Sequence, residues 1–386
     1  MASERKLHAK EDRRDRGESI DYPFLILILL LLAVGLAMLY SASSAQSMYD
    51  TSYQISTKYL QKQAICAVIG LIAMYFFSRI PAVVWYKLAW PLYGISILLL
   101  LSVLVIGQEV NGAKRWVNIA GIQFQPSEIA KFTMILVFAR LTREFGPEAK
   151  KFRYGVFGFG VTLLGILVPL ALEKHLSAIM LMGMVAVVMM FVAGTSPKWL
   201  LAGAGAAAAF VLIYITFMGY AGDRVTAWLD PNSDPGDTGY QILQSLYAIG
   251  SGGLFGLGFG KSRQKYLYLP FQYNDYIFAI VCEELGLVGA VLIVALFCMT
   301  IFRGYWIALK ASTRFSTVLA AGLTTLIAIQ TVLNLCVVTN LLPSTGIALP
   351  FFSYGGTALA VNLGEMGVIL NISRERNRAK KQEVFS

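Results

Sequence analysis

Residues 268–301 read YLPFQYNDYIFAIVCEELGLVGAVLIVALFCMTI. From residue 277 to 301 the run is apolar enough, and long enough as a helix, to cross a hydrocarbon core of about 30 Å. Yet Asp275 stands at its start, and Glu283 and Glu284 fall two turns inside it. Runs of similar character recur at 22–41, 63–77, 89–107, 156–172, 176–194, 200–220, 318–339 and 354–372, with a polar-edged one at 127–141. Ten such runs predict an all-α, polytopic integral membrane protein of about ten transmembrane helices. A large extracytoplasmic loop, residues 221–274, separates helices 7 and 8. The chain thus divides into a basic tail (1–21), a membrane domain (22–372) and a second basic tail (373–386).

The composition agrees: 57% of the 386 residues are hydrophobic and 14% charged. A net charge of +10 invites thoughts of nucleic acid, but the distribution of cations accounts for it. With ten spans, more than two-thirds of the lysines and arginines fall on the side holding both termini, which the positive-inside rule makes cytoplasmic. Nucleic-acid binding is not needed. The first apolar run exceeds the roughly 7–15 residues of a signal-peptide core, so it is read as a retained helix despite the SASSAQ that follows. Cys66, Cys282, Cys298 and Cys336 lie singly in apolar runs and read as packed thiols. Two distant histidines cannot make a zinc site.

The long loop carries most of the turn chemistry. LDPNSDPGDTGYQ (229–241) is punctuated as a loop, and YQILQSLYAIG after it has helical spacing, which suits a short interfacial helix. GFGKS (258–262) imitates a phosphate loop, but Phe255 occupies the position that needs glycine and no βαβ pattern surrounds it. The small residues of AGAGAAAAF (202–210) suit close helix packing.

Ionisable groups inside a span are costly and mark candidate functional positions. Glu128 and Lys131 share one helix face one turn apart, behind Pro126 at a helix start. They read equally as a neutralising pair and as a cation beside an anionic substrate. Asp275 fits a helix N-cap that stays solvated at the membrane surface, the reading that the residues alone favour. Glu283 and Glu284 read as structural polar residues that need a partner, with Lys131 and Arg115 available. Lys114, Arg115, Lys174, Arg224, Lys261, Arg263 and Lys265 gather on the outer face against the charge rule, which suits an anion such as phosphate. NLLPSTGIALPFFSYGGTAL (340–359) interrupts the last two spans with prolines and glycines, as backbone lining a cavity does.

Taken together, NGAKRWVNIAGIQFQPSEIAKF, GYQILQSLYAIGSGGLFGLGFGKSRQKYLYLP, NDYIFAIVCEELGLVG and LLPSTGIALPFFSYGG occur in order over residues 20 to 375. In this the chain resembles the SEDS family (shape, elongation, division and sporulation), with GKSRQKYLYLP nearer its division and sporulation branch. The resemblance implies a peptidoglycan glycosyltransferase that polymerises lipid II outside the plasma membrane and releases undecaprenyl pyrophosphate. It carries the family's essential aspartate onto Asp275. It also makes Arg115, Trp116, Gln125, Glu128, Lys131, Arg224, Ser262, Gln264, Lys265, Pro270, Thr345, Ser353 and Tyr354 candidate substrate-binding residues. A divalent cation, Mg or Mn, is the implied cofactor, without an organic one. Implied partners are lipid II, undecaprenyl-linked glycan, a class B penicillin-binding protein transpeptidase and other division proteins, at the septum. Where relatives have Thr-Asp-Phe, this chain has Asn274, Asp275 and Tyr276. The family's Pro-Asp-Leu-Gly after the fifth run is here Lys174, His175, Leu176 and Ser177. Two other functions use the same features: a lipid II flippase and a non-catalytic scaffold that recruits a transpeptidase.

Overall fold

The computed structural model describes residues 20–49, 55–110, 113–119, 122–203, 205, 224, 226–233 and 238–385. The chain is mostly helical. Among the described residues, six helices are long and apolar enough to cross a membrane. They are α1 (Tyr22–Tyr49), α2 (Lys58–Phe77), α3 (Ala82–Ile106), the helix Arg153–Leu172, α8 (Ile277–Leu309) and α9 (Arg314–Val338). Arg153–Leu172 opens with a π-helical turn and continues as α5 (Phe159–Leu172). Three more helices pack with them: α4 (Pro126–Phe145), α6 (Leu176–Val192) and α10 (Gly356–Phe385). The run at 200–220 begins helical, but most of it, with most of the small-residue stretch 202–210, lies outside the described residues.

Two features depart from a purely helical chain bounded by tails. First, residues 108–124 hold a three-stranded antiparallel meander: β1 (Gln108–Val110), β2 (Ala113–Ile119) and β3 (Ile122–Phe124). Gln108 pairs with Trp116 and Val117 with Phe124. This stretch alternates apolar and polar residues around Asn111-Gly112, a hairpin signal that a search for apolar runs passes over. Secondly, α10 continues through the expected tail to Phe385.

α10 packs most extensively on α2. A Cβ on Gly70 would come within 2.7 Å of Leu363 Cδ1, and one on Gly367 within 2.5 Å of the Met74 carbonyl. The two backbones therefore meet over glycine, as membrane helices do where hydrophobicity alone supplies no attraction between them. α4 is the most enclosed helix, with Ile135 to Ala139 all at 0% exposure. At one end of the bundle Asp21 binds Arg303 through two 2.9 Å contacts, caps α1 by accepting from Phe24 N–H, and donates its own backbone N–H to Ser373 Oγ. That joins α1, α8 and α10. The opposite end carries the sheet, Asp275 and the loops.

The long loop is ordered by helix and glycine. α7 (Thr238–Gly252) bears out the expected short helix. Residues 252–258 then run beside α8 where that helix breaks at Gly286, whose φ of 68° and ψ of −169° leave the helical region. Leu257 and Gly258 donate to the carbonyls of Glu283 and Glu284, and Leu287 and Val288 donate back to Gly253 and Leu254, all at 2.9–3.1 Å. A Cβ on Gly286 would lie 2.3 Å from the Gly256 nitrogen. Only glycine permits both the positive φ and the approach.

Candidate functional site

Asp275 sits in the turn that leads into α8. It does not cap the helix: Tyr276 holds the N-cap position and no side-chain cap bond forms, which corrects the capping reading. The carboxylate is partly buried instead and faces the broken segment between α9 and α10. Gly346 there has a φ of 69°, and a Cβ on it would stand 3.6 Å from Asp275 Oδ2. Gly346 is exposed, so the carboxylate is approached past a residue without a side chain. Arg224 Nη1 donates to the Ser344 carbonyl at 2.9 Å and lies within electrostatic range of Asp275. Burial pushes the Asp275 carboxyl above the ordinary carboxylate range, opposed by its own backbone N–H and by the Arg224 guanidinium. A raised pKa makes a stronger base.

The segment 344–355 is held by α9, by the turn before α8 and by α2. Asn334 Nδ2 donates to the Ile347 carbonyl at 2.8 Å, and Tyr354 N–H donates to the Tyr273 carbonyl at 2.8 Å. Gln63, fully buried in α2, donates to the Ser353 carbonyl at 3.1 Å and accepts from Gly355 N–H at 3.2 Å. Ser353 Oγ accepts from Leu349 N–H at 2.8 Å, so this predicted substrate contact shapes its own turn. Tyr354 joins Tyr59 and Tyr273 in a partly buried aromatic group, with centroids 4.5–6.0 Å apart.

Next to this segment lies the turn between α5 and α6. Ser177 Oγ donates to the Thr345 carbonyl, and Arg115, in β2, donates to the Lys174 carbonyl at 2.5 Å. Arg115 and Lys131 both lie within electrostatic range of His175. Arg115, Lys131, Arg224, Thr345 and Asp275 thus belong to one connected region, from five parts of the chain. Burial and the two cations push the His175 imidazole down to about 3, so it is neutral. Burial pushes the Glu173 carboxyl up to about 8, with Arg115 opposing. Trp116 is partly buried in β2, Gln125 precedes α4 without capping it, and Pro270 is partly buried in the turn before Asp275.

Two expected substrate contacts, Ser262 and Lys265, turn their side chains into another cluster, which Gln264 joins through its backbone. Glu284 accepts from Ser41 Oγ at 2.6 and 2.8 Å, from the N–H groups of Gly260 and Ser262, and from Lys265 Nζ at 3.3 Å. Glu283 accepts from Ser262 Oγ and from the N–H groups of Arg263 and Gln264. Ser262 and Lys265 are 1% and 3% exposed. They and the Gln264 backbone form a clamp that holds the loop to α8, and burial of the glutamates demanded it. The glutamates' partners are therefore Ser41, Ser262, Lys265 and loop amides, not Lys131 or Arg115. Lys131 instead meets Glu128 at 2.8 Å, both nearly buried.

Sequence reading missed Gln63, Asn334 and Glu365. Glu365 is 2% exposed in α10, within range of Lys131 and Glu128, and neither carboxylate oxygen has a hydrogen-bond partner. Its signal was available, as a carboxylate in an apolar run. The two amides gave none, because nothing in a linear pattern distinguishes them from other buried amides.

Residues 22–378 match the family described as cell cycle protein, FtsW, RodA and SpoVE. The chain is 39% identical over 365 residues to a probable peptidoglycan glycosyltransferase FtsW of Geobacter sp. strain M18, covering 93% of this chain and 98% of the relative. It is 39% identical over 360 residues to stage V sporulation protein E of Bacillus subtilis strain 168, covering 92% and 97%. A solved chain described under "structural coordination of polymerization and crosslinking by a peptidoglycan synthase complex" superimposes with a TM-score of 0.78 at 29% identity, covering 93% and 98%. The long motifs, the helical bundle and this coverage together establish that the chain belongs to the FtsW, RodA and SpoVE family of cell cycle proteins.

Proposed function

We propose that this protein is a peptidoglycan glycosyltransferase of the cell membrane that polymerises lipid II into glycan strands. The observation that carries the reaction is Asp275: a partly buried carboxylate, raised in basicity, beside an arginine and an open glycine. A hydroxyl of the acceptor sugar attacks the anomeric carbon of the growing chain. A new glycosidic C–O bond forms, the bond to the lipid pyrophosphate breaks with inversion, and Asp275 takes the hydroxyl proton. Arg224, Arg115 and Lys131 offset the charge that develops on the leaving pyrophosphate. One base suffices because the leaving group is already a stable anion, unlike that of a water-using glycosidase.

A divalent cation enters this scheme as a companion of the diphosphate. Among the described residues no three or more His, Cys, Asp or Glu side chains converge, and the residues beside Asp275 do not make a resident metal cage. No step is assigned to such an ion.

On the reading of ten spans with both termini cytoplasmic, Asp275 lies on the outer face, where the lipid carrier presents its sugars. A class B penicillin-binding protein transpeptidase is the proposed partner, supported by the complex in which the structural relative was solved. Septal synthesis is the favoured role, with the FtsW and sporulation relatives behind it. The test uses purified protein and lipid II, with and without a chelator. Polymer from the parent chain and none from Asp275→Asn supports the enzyme. Lipid translocation without polymer supports a flippase, and retained function in Asp275→Asn supports a scaffold.

A further inference from the structure

Asn334 lies near the end of α9 and is 0% exposed. Its side-chain nitrogen donates to two backbone carbonyls from different segments: Asp275 at 2.7 Å and Ile347 at 2.8 Å. Both partners are acceptors, so only the NH2 group can face them, and its two protons match two bonds. Leucine has a similar size and no donor. Aspartate has the same shape and would turn a negative charge toward two carbonyls.

The Asp275 carbonyl has a structural need for this donor. In a regular helix it would accept from Ala279, but Ala279 N–H bonds to Tyr276 at 3.0 Å. The helix thus starts one residue too late to satisfy it, and a partly buried carbonyl left without a donor is unfavourable. The Ile347 carbonyl follows Gly346, whose open face meets the Asp275 carboxylate. One amide therefore ties the backbone of Asp275 to the backbone that forms its approach. Among the described residues, the other backbone tie between these two segments is Tyr354 N–H to the Tyr273 carbonyl.

We propose that Asn334 is a positioning residue for the transferase reaction, its NH2 holding the Asp275 and Ile347 carbonyls together so that the carboxylate faces the Gly346 opening. The proposal rests on the reading of Asp275 as the base. Asn334 touches no substrate in this account, so its loss is felt in turnover and not in substrate affinity. A base displaced by about 1 Å from its productive position can lose on the order of 10²-fold in rate.

The experiment compares Asn334→Leu, Asn334→Gln and Asp275→Asn in purified full-length protein, with lipid II polymerisation measured against substrate concentration and pH. Thermal unfolding in detergent accompanies each. Expected for Asn334→Leu is a fall in kcat of roughly 10- to 100-fold with KM within about 3-fold of the parent. The acid limb of its kcat profile should move to lower pH as the loosened carboxylate becomes hydrated. Asn334→Gln, which keeps both donors, should recover part of kcat. Should Asn334→Leu not fold, Asn334→Ser, which is smaller and cannot reach both carbonyls, decides by the same readouts: a lowered kcat with a shifted acid limb supports the proposal, and parental values overturn it. An unchanged kcat and pH profile in folded Asn334→Leu, or a loss confined to KM, overturns the proposal while leaving the Asp275 reading intact. Full polymerisation by Asp275→Asn overturns both, and so separates the two failures.

Discussion

Glu284→Ala tests the clamp that fixes the long loop to α8. Glu284 is 0% exposed and accepts from Ser41 Oγ, two loop amides and Lys265 Nζ. Removing it leaves the Lys265 ammonium, 4% exposed at the side chain, bonded to the Gly260 carbonyl and Ser41 Oγ but without its counter-charge. Breaking a buried pair from one side costs about 3–5 kcal/mol, most of it the uncompensated charge. The amides of Gly260 and Ser262 lose an acceptor as well, each worth about 1–3 kcal/mol if water does not replace it. Because water will enter the vacated space, the expected total is about 4 kcal/mol and not the sum. Glu284→Gln keeps the shape and should cost less, and adding Lys265→Met to it should recover about 1–3 kcal/mol as non-additivity. The measurement is reversible unfolding in mixed micelles, with lipid II polymerisation alongside because the loop ends in Asp275. If Glu284→Ala loses less than about 1 kcal/mol and Lys265→Met adds to it independently, the clamp does not hold the loop and the reasoning is wrong.

Other outcomes follow from the same geometry. The folded His175 sits at about 3 and an unfolded histidine near 6.5, so its contribution is present above pH 6.5 and lost as pH falls toward 3. Glu173 has the opposite sign, since its folded value of about 8 exceeds the ordinary 4.5. Its contribution is present below pH 4.5 and lost as pH rises to 8. In pH-resolved unfolding, His175→Gln should flatten the acid side and Glu173→Gln the alkaline side, each by at most about 1.4 kcal/mol per pH unit. Arg303→Ala leaves Asp21, at 2% side-chain exposure, without its bidentate partner, and a loss of about 2–4 kcal/mol is expected on unfolding. Gly286→Ala must either shift the Gly256 backbone or abandon a φ of 68°. A loss of at least about 2 kcal/mol or failed expression is expected, and parental stability there would contradict the close approach.

How far the chain could be read in advance depends on the kind of interaction. Membrane helices were legible because water is absent from the bilayer core. A spanning segment must satisfy its own backbone and show a long apolar run. α1, α2, α3, α8 and α9 follow that pattern. The sheet at 108–124 was missed because it obeys a two-residue period that a search for apolar runs passes over, and the helical state of the basic tail to residue 385 leaves no apolar run to read.

For the site, a charge near the membrane is conspicuous by its cost, which is how Asp275, Glu128, Lys131, Glu283 and Glu284 were singled out from residues alone. Which charge meets which was decided only when the chain closed on itself. Lys265 lies close to Glu284 because the loop returns along α8 at Gly286, and Arg115 reaches Lys174 because β2 stands over the turn between α5 and α6. Neutral donors left still less trace. Asn334 and Gln63 act by hydrogen bonds to backbone carbonyls, and a carbonyl belongs to every residue. Sequence determined that a carboxylate would stand at the mouth of an apolar bundle. Tertiary contact decided what holds it there, since hydrogen bonds reach only about 3 Å and join residues that are dozens to hundreds of positions apart.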